Sequence, residues 1–274
     1  AGNLTGTVAT ATQNSITTMT GLTAAGATGT ATSVAGIPFF SDISNNSIYT
    51  HDVSGTDSTA EGNTAYGIGA LDAVTTGDYN TAIGFGALSA QQAGEGNVAI
   101  GQAALNANLA SNNLAVGKSA MIANTTGTRN IAIGNRALDL QDTENDNLAI
   151  GYEAMTTDNA GGTKNVALGN YALDALTSGD DNTALGYNAM TSATTGSNNT
   201  VVGKDAAAGA TITGSNNTAI GKDAMSALTT GGNNVSVGNS ALIAITTGTE
   251  NVAIGFEAMR LVTTASSNVA IGNE

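Results

Sequence analysis

Between Asn63 and Gly272 the chain writes Asn-x-Ala-x-Gly, or a close variant, thirteen times, from Asn63-Thr64-Ala65-Tyr66-Gly67 to Asn268-Val269-Ala270-Ile271-Gly272. The twelve intervals between successive motif glycines are 17, 17, 16, 17, 17, 18, 17, 17, 18, 17, 17 and 17 residues. A short fixed period means that each repeat is one small unit that buries its apolar side only by stacking on its neighbours. The expected architecture is all-β, a parallel β-solenoid or β-roll of about 13 coils with a 17-residue repeat over residues 62–274. Residues 1–61 form a Thr/Ala/Gly-rich connector or cap on this reading, with Phe39 and Phe40 as candidate plugs over the first coil.

Counted from its Asn, one repeat reads Asn-x-Ala-[Ile/Val/Leu]-Gly-x-x-Ala-[Leu/Met], followed by about eight looser residues that often contain Thr-Thr-Gly. Helical repeats need 30 or more residues to hold two helices and a turn, so a 17-residue period excludes them. β-Branched residues inside Asn-Val-Ala-Ile-Gly suit a short strand ending at a glycine turn. Strand alternation puts positions 2 and 4 on one face and positions 1, 3 and 5 on the other. Position 4 is Ile, Val or Leu in every copy except Tyr66, which predicts that it faces the core. The small residue at position 3 predicts a second close contact, with a neighbouring sheet or chain. The Ala-[Leu/Met] pair at positions 8 and 9 is read as the start of a second strand.

The turn glycines, among them Gly84, Gly101, Gly134, Gly151, Gly186 and Gly255, are expected at φ > 0, where a Cβ would clash. Stacking brings the motif asparagines, among them Asn80, Asn97, Asn130, Asn147, Asn182 and Asn251, to a spacing of about 4.8 Å, at which asparagine side chains form hydrogen-bonded ladders. One coil buries too few apolar side chains to offset the entropy of ordering its backbone. Even the stack is thin, so partner chains are expected, most simply as a homotrimer, with end-to-end stacking as a further contact.

Composition narrows the function. Seven basic against twenty-one acidic residues give a net charge of −14, and the basic residues are scattered through the repeats. Binding nucleic acid needs clustered Lys and Arg, so no nucleic-acid partner is expected. No run of about 18 apolar residues suggests membrane insertion, and the start lacks a basic-then-apolar signal segment. Without cysteine there are no disulfides and no thiolate metal sites. The chain is read as a processed product or the ordered part of something longer.

Motifs for chemistry are weak. His51, the sole histidine, lies beside Asp52 in a Ser/Asp/Gly-rich stretch and cannot by itself establish a catalytic triad. The acidic stretch with Asp139, Asp142, Glu144 and Asp146 offers oxygen ligands for Ca²⁺ but lacks EF-hand spacing. P-loop and calcium-binding nonapeptide patterns are absent. No catalytic residue and no cofactor is expected. Recurring Thr-Thr pairs raise an ice-binding ladder as a remote alternative, although Gln91-Gln92, Ala107-Asn108 and Gln141-Asp142 interrupt it.

The motif Asn-[Val/Thr]-Ala-Ile-Gly-x-x-Ala, as in Asn97–Ala104 and Asn251–Ala258, resembles the head repeats of trimeric autotransporter adhesins, which form a left-handed parallel β-roll. The longer form, Asn182-Thr183-Ala184-Leu185-Gly186 with Thr194-Thr195-Gly196, is more similar to bacteriophage tail-fibre repeats. Residues Thr7–Leu22 also resemble the Thr-rich linking segments of such fibres. The resemblance implies a non-enzymatic shaft of a trimeric phage tail fibre, on the virion surface or outside the cell. Its implied partners are other fibre or virion proteins and a host cell-surface receptor. The alternative is a bacterial surface adhesin or a head-to-tail extracellular filament.

Overall fold

The structure, a computed structural model, describes residues 32–34, 37–42, 47–49, 59–140, 143–157, 162–209 and 211–274. Among the described residues sixteen strands form one sheet in strict chain order. At its start β1 (Thr32–Val34), β2 (Ile37–Asp42) and β3 (Ser47–Tyr49) pair antiparallel. From β3 onward every pairing is parallel. Thirteen three-residue strands carry the motif: β4 (Thr64–Tyr66), β5 (Thr81–Ile83), β6 (Val98–Ile100), β7 (Leu114–Val116), β8 (Ile131–Ile133), β9 (Leu148–Ile150), β10 (Val166–Leu168), β11 (Thr183–Leu185), β12 (Thr200–Val202), β13 (Thr218–Ile220), β14 (Val235–Val237), β15 (Val252–Ile254) and β16 (Val269–Ile271). They bound twelve turns of a parallel β-solenoid, in which equivalent positions stack in register, as Ala132 does on Ala115 and Ala149.

The two faces of each strand are the reverse of the sequence expectation. Position 3 points into the coil, where Ala82, Ala132, Ala184 and their equivalents through Ala253 are buried beside the position-8 alanines and the position-9 Leu or Met side chains. Position 4 points outward, with Ile83 39% and Ile133 36% exposed. The reason is thickness. A 17-residue coil encloses so little space that Ala fills the strand's inner face, and the Leu or Met from the opposite wall supplies the remaining volume. The Ala face therefore closes the interior of one chain and needs no second chain.

Positions 8 and 9 also do not begin a second strand. In most coils residues 6 to 11 are turns, and among the described residues each coil contributes one strand to the sheet. Positions 7 and 9 and the residue before each Asn adopt positive φ, as at Arg136 (57°), Leu138 (53°) and Arg129 (59°). This left-handed conformation costs a non-glycine residue about 1–2 kcal/mol. Coil-to-coil bonding offsets the cost, since the turns keep their backbone groups paired along the rod. Arg136 N–H donates to Lys118 O at 3.0 Å, and Leu138 N–H donates to Ala154 O at 3.0 Å.

At the first end of the rod, Tyr49 is in register with Ala65 and fully buried in the core cluster. A tyrosine thus takes the place of alanine in the inward column there. The plugging role expected for Phe39 and Phe40 concerns side chains outside those described. Among the described residues no helix is long and apolar enough to cross a membrane.

Candidate functional site

The motif asparagines form a continuous buried ladder. From Asn80 to Asn268, each backbone N–H donates to the Oδ1 of the preceding motif Asn, at 2.8–3.1 Å. Each Nδ2 from Asn63 to Asn251 reaches across the coil to a carbonyl fourteen or so residues later in its own turn, such as Asn182 to Gly196 O at 2.8 Å. One side chain therefore closes its own coil and bonds the next. Asn80, Asn97, Asn130, Asn147, Asn182 and Asn251 all serve this way, and they are structural throughout.

The turn glycines make a second column. Gly134 has φ +142°, and a Cβ there would lie 2.1 Å from Gly151 O and 2.6 Å from Gly151 C. The same clash with the next coil recurs at Gly84, Gly101, Gly151, Gly186 and Gly255. Glycine is required for two separate reasons, its backbone angle and the closeness of the next coil.

A third ladder has only a faint trace in the sequence. Position 12 is apolar at Val74, Leu176, Leu228 and Ile245, but Gln91, Asn108 and Asn124 occupy it in three successive coils and are buried. Asn108 Nδ2 donates to Gln91 Oε1, and Asn124 Nδ2 to Asn108 Oδ1, both at 2.6 Å. Amides at matching positions of adjacent repeats are the signal that identifies it. In several repeats the polar residue two before the motif Asn also reaches back one coil, as Asn145 Oδ1 does in accepting from Thr128 N–H at 2.7 Å.

Of the acidic residues weighed for Ca²⁺, the described ones bond to protein groups beside them. Asp139, 4% exposed, accepts from Arg136 Nε at 2.7 Å. Burial pushes its carboxyl above the ordinary 3.8, with Arg136 opposing. Asp146 instead takes both Nε and Nη2 of Arg129, at 2.6 and 2.8 Å, and this hydrogen bonding holds its pKa below 3.8. Glu144 accepts from Thr143 N–H at 2.9 Å. Asp142, His51 and Asp52 lie outside the described residues. Among the described residues no group of three potential metal ligands comes together.

What remains outward is the sheet's apolar face. Positions 2 and 4 of β4 to β16 carry only Thr, Val, Ile, Leu and Tyr, with no charged residue in any copy. In a chain of net charge −14, thirteen successive strands present an uncharged ridge of mostly β-branched side chains. At about 4.8 Å per strand and about 10 Å wide, the ridge spans roughly 600 Å². That is the upper size for the largest patch on an ordinary monomer. Several Thr-Thr pairs behave differently, because the first hydroxyl donates to a backbone carbonyl of the next coil, as Thr229 does to Thr246 O at 3.0 Å. Comparison of the chain with family models, curated proteins and solved structures found no match.

Proposed function

We propose that this chain is a non-enzymatic structural rod, the shaft of a trimeric tail fibre that carries an attachment tip toward a host surface. The observation that supports the reading is the uncharged outer face of the sheet. Three such faces meeting around a common axis bury about 1,800 Å² in all, within the range of specific interfaces. A ridge of repeated Val, Ile, Leu and Thr fits against the same ridge on other copies, because the strand spacing matches coil for coil, and copies running parallel meet around one axis as a shaft requires. The interchain role expected of the Ala face thus passes to positions 2 and 4. Stiffness comes from the Asn ladder and the axial backbone bonds, spread over every coil rather than placed in one site.

The resemblance of the repeats to phage tail fibres supports a virion location, with other fibre proteins and a host receptor as partners. The ice-binding reading loses support, because the first hydroxyl of each Thr-Thr pair bonded to the next coil is drawn toward the backbone. Two measurements test the proposal. The double variant Ile133→Lys/Ile150→Lys places charge on the outer face; it should keep the far-UV dichroism of the wild type and dissociate the assembly. An antibody against the chain should decorate fibrous appendages of virus particles. Retention of assembly by the double variant, or labelling confined to bacterial surfaces, contradicts the reading.

A further inference from the structure

Three tyrosines gather on one outer corner of three consecutive coils. Tyr152 and Tyr187 follow their turn glycines directly, and Tyr171 sits one residue further along its coil. Their rings form an edge-to-face row, with centroids 5.5 Å apart at 79° for Tyr152–Tyr171 and 5.9 Å apart at 89° for Tyr171–Tyr187. Tyr152 and Tyr187 remain 41% and 46% exposed. Polar groups frame the row. At one end Glu153 accepts from Arg136 Nη1 at 2.6 Å. At the other, Lys204 Nζ lies 5.6 Å from the Tyr187 ring centroid, and Asn188 Nδ2 donates to Asp205 Oδ1 at 3.0 Å.

The rod does not need this row. The corner carries Gln102-Ala103, Lys118-Ser119 and Asn135-Arg136 in earlier coils, and Lys222-Asp223 and Asn239-Ser240 in later ones, with the same backbone geometry. Half of the chain's six tyrosines are concentrated where solvation disfavours their rings. A row of amphipathic rings edged by a carboxylate, amides and an amine matches the chemistry of a pyranose chain. The C–H faces of the sugars pack on aromatic rings, and their vicinal hydroxyls pair with planar amides and carboxylates. Tyr152 and Tyr187 are two coils apart, about 10 Å along the axis, the reach of two to three sugar units. Proline-rich peptides also use aromatic surfaces, but they dock into aromatic-lined grooves, whereas this row stands on an outer corner.

We propose that the Tyr152–Tyr171–Tyr187 ridge is a binding site for a neutral oligosaccharide. The site belongs to the single rod and does not depend on trimer formation, so the rod would bear ligand along its side as well as carry a tip. The test uses the full chain and saturation-transfer NMR with trisaccharides of glucose, mannose and N-acetylglucosamine, with a proline-rich decapeptide as comparison. At least one trisaccharide should bind, and Tyr152→Gln/Tyr187→Gln should weaken it about tenfold or more. Glutamine already occupies this corner position at Gln102, so that variant should unfold with the wild-type midpoint. Phe256→Ala, a lone exposed aromatic at the same corner position, should leave binding unchanged. No binding of any trisaccharide at about 10 mM, where even weak sites fill, overturns the proposal. So does binding that survives the double substitution, or preference for the peptide.

Discussion

Replacing Asn182 with alanine removes four hydrogen bonds from the middle of the ladder. Its Oδ1 accepts from Asn199 N–H and Nδ2, both at 3.0 Å, and its Nδ2 donates to Asn165 Oδ1 at 3.1 Å and Gly196 O at 2.8 Å. Two partners have replacements: Asn199 Nδ2 keeps Gly214 O, and Asn165 Oδ1 keeps the Asn182 backbone N–H. The Asn199 N–H and the Gly196 carbonyl lose the side chain that bonds them, and both residues are buried. At about 1–3 kcal/mol for each buried group left unpaired, the loss is about 2–6 kcal/mol. Asn182→Asp separates the contributions. It keeps the shape and the oxygen that accepts both bonds from Asn199, but sets a second carboxylate oxygen against the Gly196 carbonyl and Asn165 Oδ1. Burial and that carbonyl raise its folded pKa. The penalty is then complete above the folded pKa and fades as pH falls toward the unfolded value of about 3.9, where a protonated Asp can donate to Gly196. Urea unfolding at fixed protomer concentration, at pH 7 and at mildly acidic pH, reads both effects. Asn239→Ala at the exposed corner serves as the control, expected within about 0.5 kcal/mol of wild type. The ladder argument fails if Asn182→Ala costs no more than this control, or if Asn182→Asp is equally damaging at both pH values.

Gly134→Val should cost at least about 3 kcal/mol, combining backbone strain with a clash against Gly151 O that only a shift of the next coil relieves; a thermal midpoint near that of wild type contradicts it. Ala132→Phe should abolish folding of the chain itself, because Ala132 faces the filled interior; a folded but dissociated product by circular dichroism would return the Ala face to an interchain role. Asp139 carries a raised folded pKa, so its penalty is absent below 3.8 and grows as pH rises through the folded value. Asp139→Asn should therefore gain on the wild type between acidic and neutral pH in urea titrations, and a gain that grows on acidification refutes the assignment.

The period, the parallel stack, the Asn ladder and the turn glycines were legible because each rests on a residue type with a single physical use at that position. The orientation of the strands was not. Alternation separates two faces without saying which is inside, and Ile at position 4 looks like core until the thinness of the coil is known. Position 3, where only Val201 and Ser236 replace Ala, already carried the answer, since a narrow interior excludes anything much larger. The missing second strand also left a sign. Positions 7 and 9 and the residue before each Asn never carry Val, Ile or Thr, although the chain is rich in them. β-Branched residues are poorly tolerated at positive φ, which explains why position 9 takes Leu or Met such as Leu138 and Met155. The tyrosine row was not read from sequence, because its middle member, Tyr171, lies one position away from Tyr152 and Tyr187 in the repeat and the rings meet only through stacking.

Self-association through the outer face is the central claim, and the mass of the assembly in solution tests it most directly. Sedimentation equilibrium of the purified chain should give three times 26.8 kDa, about 80 kDa, over a broad concentration range. A single folded species of 26.8 kDa across that range would contradict it, leaving the uncharged ridge of positions 2 and 4 without its partner copies.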